Sequence, residues 1–167
     1  ECRDSDGGDC SSEWNPTWSP DGTQIADSHP ETGGGISIIN ADGTGRRQLL
    51  EEPHSVRQTS WSPDGRWIAV AMNGSIWKVD PETGLAHEIS YNEKYHSAPD
   101  WSPDGQWIAY TADAGGTTIQ LEVVNVNTQR VHTLTNDEFI YTDPVFSPDG
   151  SQLAYVSTKP NGHFNVY

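Results

Sequence analysis

Trp18-Ser19-Pro20-Asp21-Gly22 returns three more times in this chain, as Trp61-Ser62-Pro63-Asp64-Gly65, Trp101-Ser102-Pro103-Asp104-Gly105 and Phe146-Ser147-Pro148-Asp149-Gly150. The aromatic positions lie 43, 40 and 45 residues apart. Each copy runs on into a short apolar stretch: Ile25-Ala26, Ile68-Ala69-Val70, Ile108-Ala109-Tyr110 and Leu153-Ala154-Tyr155. A repeat of this length, holding several short strands, is the signature of β-propeller blades. The chemistry of the phrase agrees. Pro presets φ for the second position of a type I turn, Asp suits the third, and Gly takes the left-handed conformation that returns the chain to the ladder. The aromatic gives each sheet a wide apolar face, and the following Ala lets a neighbouring sheet approach. A single small sheet cannot cover its own apolar faces, so the copies must stack. The predicted fold is therefore all-β: four copies of a four-stranded antiparallel sheet forming a partial propeller.

Residues 1–13 read as a polar leader, and the blades run over about 15–50, 58–90, 98–135 and 143–167. In the first blade, Asp27 and Ser28-His29-Pro30 interrupt the apolar pattern, which predicts a looser second strand. The second blade is the tightest, because Asn73-Gly74 is a strong hairpin signal. The fourth reaches Asn165-Val166-Tyr167 without an outer strand. Propellers close with about four to eight blades, and an unpaired strand edge invites association. Two outcomes are expected: the chain is part of a longer propeller, or a second copy completes the ring as a homo-oligomer.

Lys and Arg number 9 against 24 Asp and Glu, for a formal net charge of −15. That field repels phosphate backbones and anionic membrane surfaces, so no nucleic-acid partner is expected. No stretch approaches the roughly 20 apolar residues of a membrane helix, so no membrane insertion is expected. Cys2 and Cys10 are the two cysteines. Close together in a polar setting, they read as a small disulfide loop, which suits an oxidising compartment. Between them, Asp4, Asp6 and Asp9 alternate with Gly7 and Gly8 and could wrap Ca²⁺. The twelve-residue EF-hand spacing and its closing Glu are absent, however, so the leader reads as a solvated segment with no cofactor.

The residues resemble the TolB-like propeller family, whose repeat carries Pro-x-Trp-Ser-Pro-Asp-Gly, an Ile-Ala-aromatic strand and a closing Leu-Thr strand. Asn15-Pro16-Thr17-Trp18, Ala98-Pro99-Asp100-Trp101, Asp143-Pro144-Val145-Phe146 and Leu134-Thr135 fit this pattern, and Gln58-Thr59-Ser60-Trp61 departs by lacking the Pro. The resemblance implies a periplasmic or secreted propeller, often six-bladed, used for protein association. Tyr95-His96-Ser97-Ala98-Pro99-Asp100-Trp101 and 160–167 also resemble propellers fused ahead of amidohydrolase domains. That likeness implies an alternative role, as the accessory propeller of a periplasmic hydrolase.

No Gly-x-Ser-x-Gly elbow, His-Glu-x-x-His pair, phosphate-binding Gly loop or Cys-x-x-Cys site occurs, and the six histidines are scattered. No catalytic residue is expected. Asp21, Asp64, Asp104 and Asp149 read as turn residues, not catalytic carboxylates. In a propeller the inner strands face the central channel. The segments before each aromatic therefore nominate Asn15, Arg57, Gln58, His96, Ser97, Thr142 and Asp143 as channel-rim groups, a mixture that suits water, a cation or a peptide tail, and the expected partner is a protein or peptide.

Overall fold

The computed structural model describes residues 14–28, 35–50, 56–113, 115–159 and 162–167. The leader, with Cys2, Cys10, Asp4, Asp6 and Asp9, lies outside the described residues, as does the side chain of Arg57.

Among the described residues the strands fall into four antiparallel sheets in chain order. The first contains β1 (Trp14–Trp18), β2 (Gln24–Ser28), β3 (Ile36–Asn40) and β4 (Arg47–Leu50). The second contains β5 (Val56–Trp61), β6 (Ile68–Met72), β7 (Ser75–Val79) and β8 (Ala86–Glu88). The third contains β9 (Tyr95–Trp101), β10 (Trp107–Asp113), β11 (Ile119–Asn125) and β12 (Val131–Thr133). The fourth is three-stranded, with β13 (Tyr141–Phe146), β14 (Leu153–Ser157) and β15 (Asn165–Val166). Within each sheet every strand pairs with the one before it, the up-and-down order of a propeller blade. The set of four is an open, partial propeller.

The repeated turn is built the same way each time. The amide of Gly22 donates to the Ser19 carbonyl at 2.9 Å, and Gly65, Gly105 and Gly150 repeat the bond to Ser62, Ser102 and Ser147. These glycines hold φ of 70–71°, a region where a Cβ is penalised. The serine hydroxyl donates to the aspartate Oδ1 at 2.5–2.7 Å, and that same oxygen accepts the amide two residues on. The turn thus satisfies its own polar groups.

Between sheets, strand alternation sorts the core. Ile68, Val70 and Met72 face the first sheet and join Ala26, Ile36, Ile38, Val56 and Trp61 in one apolar cluster. Ala69 and Ala71 face the third sheet, in a second cluster with Trp101, Ile108, Tyr110 and Ala112. Trp61 and Trp101 are only 8% and 6% exposed, whereas Trp18 is 58% exposed because no described sheet lies against its face. The aromatic therefore packs against the preceding sheet, and Trp18 departs from the packing that its sequence position predicts. The opposite end shows the reverse face: Val145 is exposed opposite Ala154, and Val166 is exposed opposite Val156.

Two expectations are corrected. The second strand of the first sheet is not loose. Asp27 and Ser28 are buried within β2, and Arg46 Nη2 meets Asp27 Oδ2 at 3.0 Å, so an ion pair replaces the missing apolar contact. The inner strands also begin upstream of the expected blade starts, at Trp14, Val56, Tyr95 and Tyr141. Pairing continues past the irregular residues there, with Val56 opposite Met72, Tyr95 opposite Asp113 and Tyr141 opposite Ser157.

Candidate functional site: the axial groove

Every inner strand carries a β-bulge a few residues before its aromatic: the register shifts between Trp14 and Thr17, Val56 and Thr59, and Thr142 and Val145, and on β10 between the partners of Ala109 and Thr111. A bulge kinks the strand and re-aims its side chains. Asn15, Ala98 and Asp143 sit in these bulges with φ of 53°, 51° and 51°, and each precedes a proline. Left-handed geometry is unusual for a non-glycine residue, more so before proline, and persists only when the surroundings impose it.

The four bulges converge. Asn15, Gln58, Ala98 and Asp143 line one cavity of about 260 Å³ together with Asp100 and Ser60. They also line an adjoining cavity of about 320 Å³ whose wall is made by Tyr95, Ser97, Thr111, Ile119 and Thr142. Together the two form a groove along the inner edges of the sheets. Bonds between sheets fix its floor. The amide of Ala98 donates to Gln58 Oε1 at 2.6 Å, that of Trp101 to Ser60 Oγ at 3.3 Å, and that of Phe146 to Asp100 Oδ2 at 2.7 Å. Burial pushes the Asp100 carboxyl above its ordinary range, and the bonds from Phe146 and Ser60 only partly offset this. In the wall, the Ser97 and Thr111 hydroxyls lie 2.6 Å apart.

Five of the seven residues nominated from sequence therefore meet: Asn15, Gln58, Ser97, Thr142 and Asp143. His96 does not. It is 1% exposed and lies in the seam between the second and third sheets, its ring 4.9 Å from that of Tyr110. The bulge is the reason. Trp101 faces the seam, and strict alternation would send His96 the other way; the extra residue flips the parity, so His96 sits opposite Ala112 on the seam side. Sequence reading missed Tyr95, Thr111 and Ile119. Tyr95 lies two positions before Ser97, and Thr111 is directly opposite Ser97 in the ladder, so a correct bulge placement would have found both. Among the described residues no group of His, Cys, Asp or Glu is placed to hold a metal ion.

The TolB beta propeller domain model matches residues 8–162. The chain belongs to the TolB beta propeller domain family. Its structure is similar to that of TolB from Acinetobacter baumannii, with a TM-score of 0.74 and 25% identity over 87% of this chain and 38% of that one. A putative TolB from Agrobacterium tumefaciens gives 0.73 and 26%, over 84% and 52% of the two chains. A puromycin hydrolase shares the fold at 0.73 and 23% identity, over 90% of this chain and 26% of that one. This TolB-like chain thus spans less than two thirds of the length of each of these structures.

Proposed function

We propose that this TolB-like propeller domain is a non-catalytic interaction module of the periplasm or the cell exterior, and that it takes an extended segment of a protein partner in its axial groove. The observation that carries the reading is the convergence of four bulges on one groove. Asn15, Gln58, Thr142 and Asp143 offer donors and acceptors there, beside the apolar surface of Tyr95 and Ile119. Such a mixture suits a peptide, which brings its own amides and alternating side chains. The non-catalytic part rests on access. Ser90 Oγ and His96 Nδ1 lie 2.7 Å apart, a pairing with the composition of nucleophile and base, but they are 0% and 1% exposed and out of a substrate's reach. The extracytoplasmic location rests on the family resemblance.

The test is selection of peptides from a random display library against the 167-residue chain, followed by calorimetry of the best binder. The reading expects Asp143→Lys and Thr142→Trp each to weaken binding at least tenfold, about 1.4 kcal/mol, while Leu85→Ala on the outer face leaves it unchanged. Binding indifferent to both groove substitutions, or cleavage of the bound peptide by the chain, contradicts it. The alternative role beside a hydrolase domain draws on the sequence resemblance at Tyr95–Trp101 and on the likeness of fold to the puromycin hydrolase. In that role the same groove positions substrate.

A further inference from the structure

The wall of the groove is held by a buried histidine that the proposed function does not use. His96 lies between Tyr95 and Ser97, both of which line the cavity. Two bonds fasten it to the second sheet: its amide donates to the Gly74 carbonyl at 2.8 Å, and its Nδ1 lies 2.7 Å from Ser90 Oγ, which already accepts the Ile76 amide at 2.8 Å. The other ring nitrogen, Nε2, is buried with no hydrogen-bond partner. Tyr95 packs close to the same hairpin, where a Cβ on Gly74 would stand 3.1 Å from its ring.

An imidazole in this setting tolerates only its neutral form. Whichever ring nitrogen carries the neutral form's proton, the cation bears an N–H at both, so its charge would be buried with the Nε2–H meeting no acceptor. Burial accordingly holds the imidazole below its ordinary range. The Glu122 carboxylate opposes that, Lys94 reinforces it, and Glu88 opposes it weakly. Glu122 is itself occupied, paired with Lys94 and accepting from Tyr110 Oη at 3.1 Å and Thr133 Oγ1 at 3.2 Å. With Asn92 also donating to Oε2, its acceptor sites are already taken.

We propose that His96 is a proton-operated latch on residues 90–97: neutral, it holds Tyr95 and Ser97 in the groove wall, and protonated, it releases them. As a control on partner binding the latch rests on the groove reading above; as a local opening it does not.

Hydrogen exchange of the intact chain between pH 7.5 and 5.5, corrected for intrinsic rates, reads the opening directly. Uptake of one proton on opening makes the opening equilibrium rise by up to tenfold per pH unit below about 6.5. The His96 amide is therefore expected to lose protection severalfold between pH 6.5 and 5.5, while Ile38, in the first seam, does not. In His96→Gln the loss disappears. A flat wild-type profile, or the same slope in His96→Gln, overturns the latch. Should that variant fail to fold, NMR titration of the wild-type ring decides: a midpoint below the ordinary histidine value supports the latch, and an ordinary or raised one overturns it. Peptide affinity across the same pH range is a separate readout. Opening without a change in peptide affinity would leave the latch standing as a local opening and remove it as a control on partner binding.

Discussion

The backbone N–H of Phe146 donates to Asp100 Oδ2 at 2.7 Å, so a side chain of the third sheet completes the main chain of the fourth. Ser60 does the same for Trp101 one sheet earlier. Sheets in this chain are thus joined by polar ties at the axis as well as by apolar seams. Asp100→Ala should loosen the fourth sheet, at a cost of about 1–3 kcal/mol for the orphaned amide, whereas Asp100→Asn keeps an acceptor. Because burial raises the Asp100 carboxyl, the stability it contributes is full below the ordinary aspartate value and is lost as pH rises through its elevated one. Asp100→Asn, which does not titrate, should therefore compare more favourably with wild type at pH 7 than at pH 3. Urea titrations at the two pH values check this, and the opposite ordering would be a failure.

The turn aspartates carry the opposite sign. Hydrogen bonds from serine hydroxyls and following amides hold Asp21, Asp104 and Asp149 below the ordinary range, with Asp149 down at about 2. At Asp64 burial works against the same bonds and is outweighed. Stability from these groups is present above about pH 4 and fades as pH falls through their depressed values. Thermal melts from pH 5 to pH 2 should fall steadily, and Asp104→Asn should flatten the fall. An unchanged slope in that variant would show that the turn carboxylates do not govern acid stability.

Trp61 and Trp101 fill the seams, and Trp18 does not. Trp61→Ala and Trp101→Ala should each cost about 3–5 kcal/mol, and Trp18→Ala about 0.5 kcal/mol or less. Acrylamide quenching of single-tryptophan variants should rank Trp18 as the accessible one. Equal costs at the three sites would mean that the sheets do not stack in this order.

Glu122 is buried, and the pull of burial on its carboxyl is outweighed by Lys94, Tyr110 and Thr133, so it stays ionised below the usual range. Lys94→Met leaves the carboxylate without its cation and should destabilise by about 1–3 kcal/mol at pH 7. The loss should shrink as pH falls through the carboxylate range, since a protonated Glu122 no longer needs a cation. Chemical denaturation at pH 7 and pH 4 measures both effects; a loss that grows toward pH 4 would contradict the account.

What was legible in the sequence followed from local chemistry. Ser-Pro-Asp-Gly fixes its own turn through bonds spanning at most five residues, and Asn73-Gly74 forms its hairpin turn with positive φ at both positions. Strand order followed from these turns. The site was legible in part, since Asn15, Gln58 and Asp143 precede each repeat's aromatic at a fixed distance. What the sequence concealed depends on the bulge. One extra residue in β9 reverses which side each preceding residue faces, taking His96 into the seam and placing Tyr95 in the groove. Asp27 was misread for a different reason: its partner Arg46 lies beyond the next strand, and no local pattern announces that pairing.

The convergence of Asn15, Gln58, Ala98 and Asp143 on one groove is the claim on which the rest depends, and paramagnetic relaxation tests it without any ligand. A nitroxide on Asp143→Cys, in a chain with Cys2 and Cys10 replaced by serine, should broaden the amides of Asn15, Gln58 and Ala98 together, although they lie in three other repeats. Broadening confined to the fourth sheet and its chain neighbours would contradict the account.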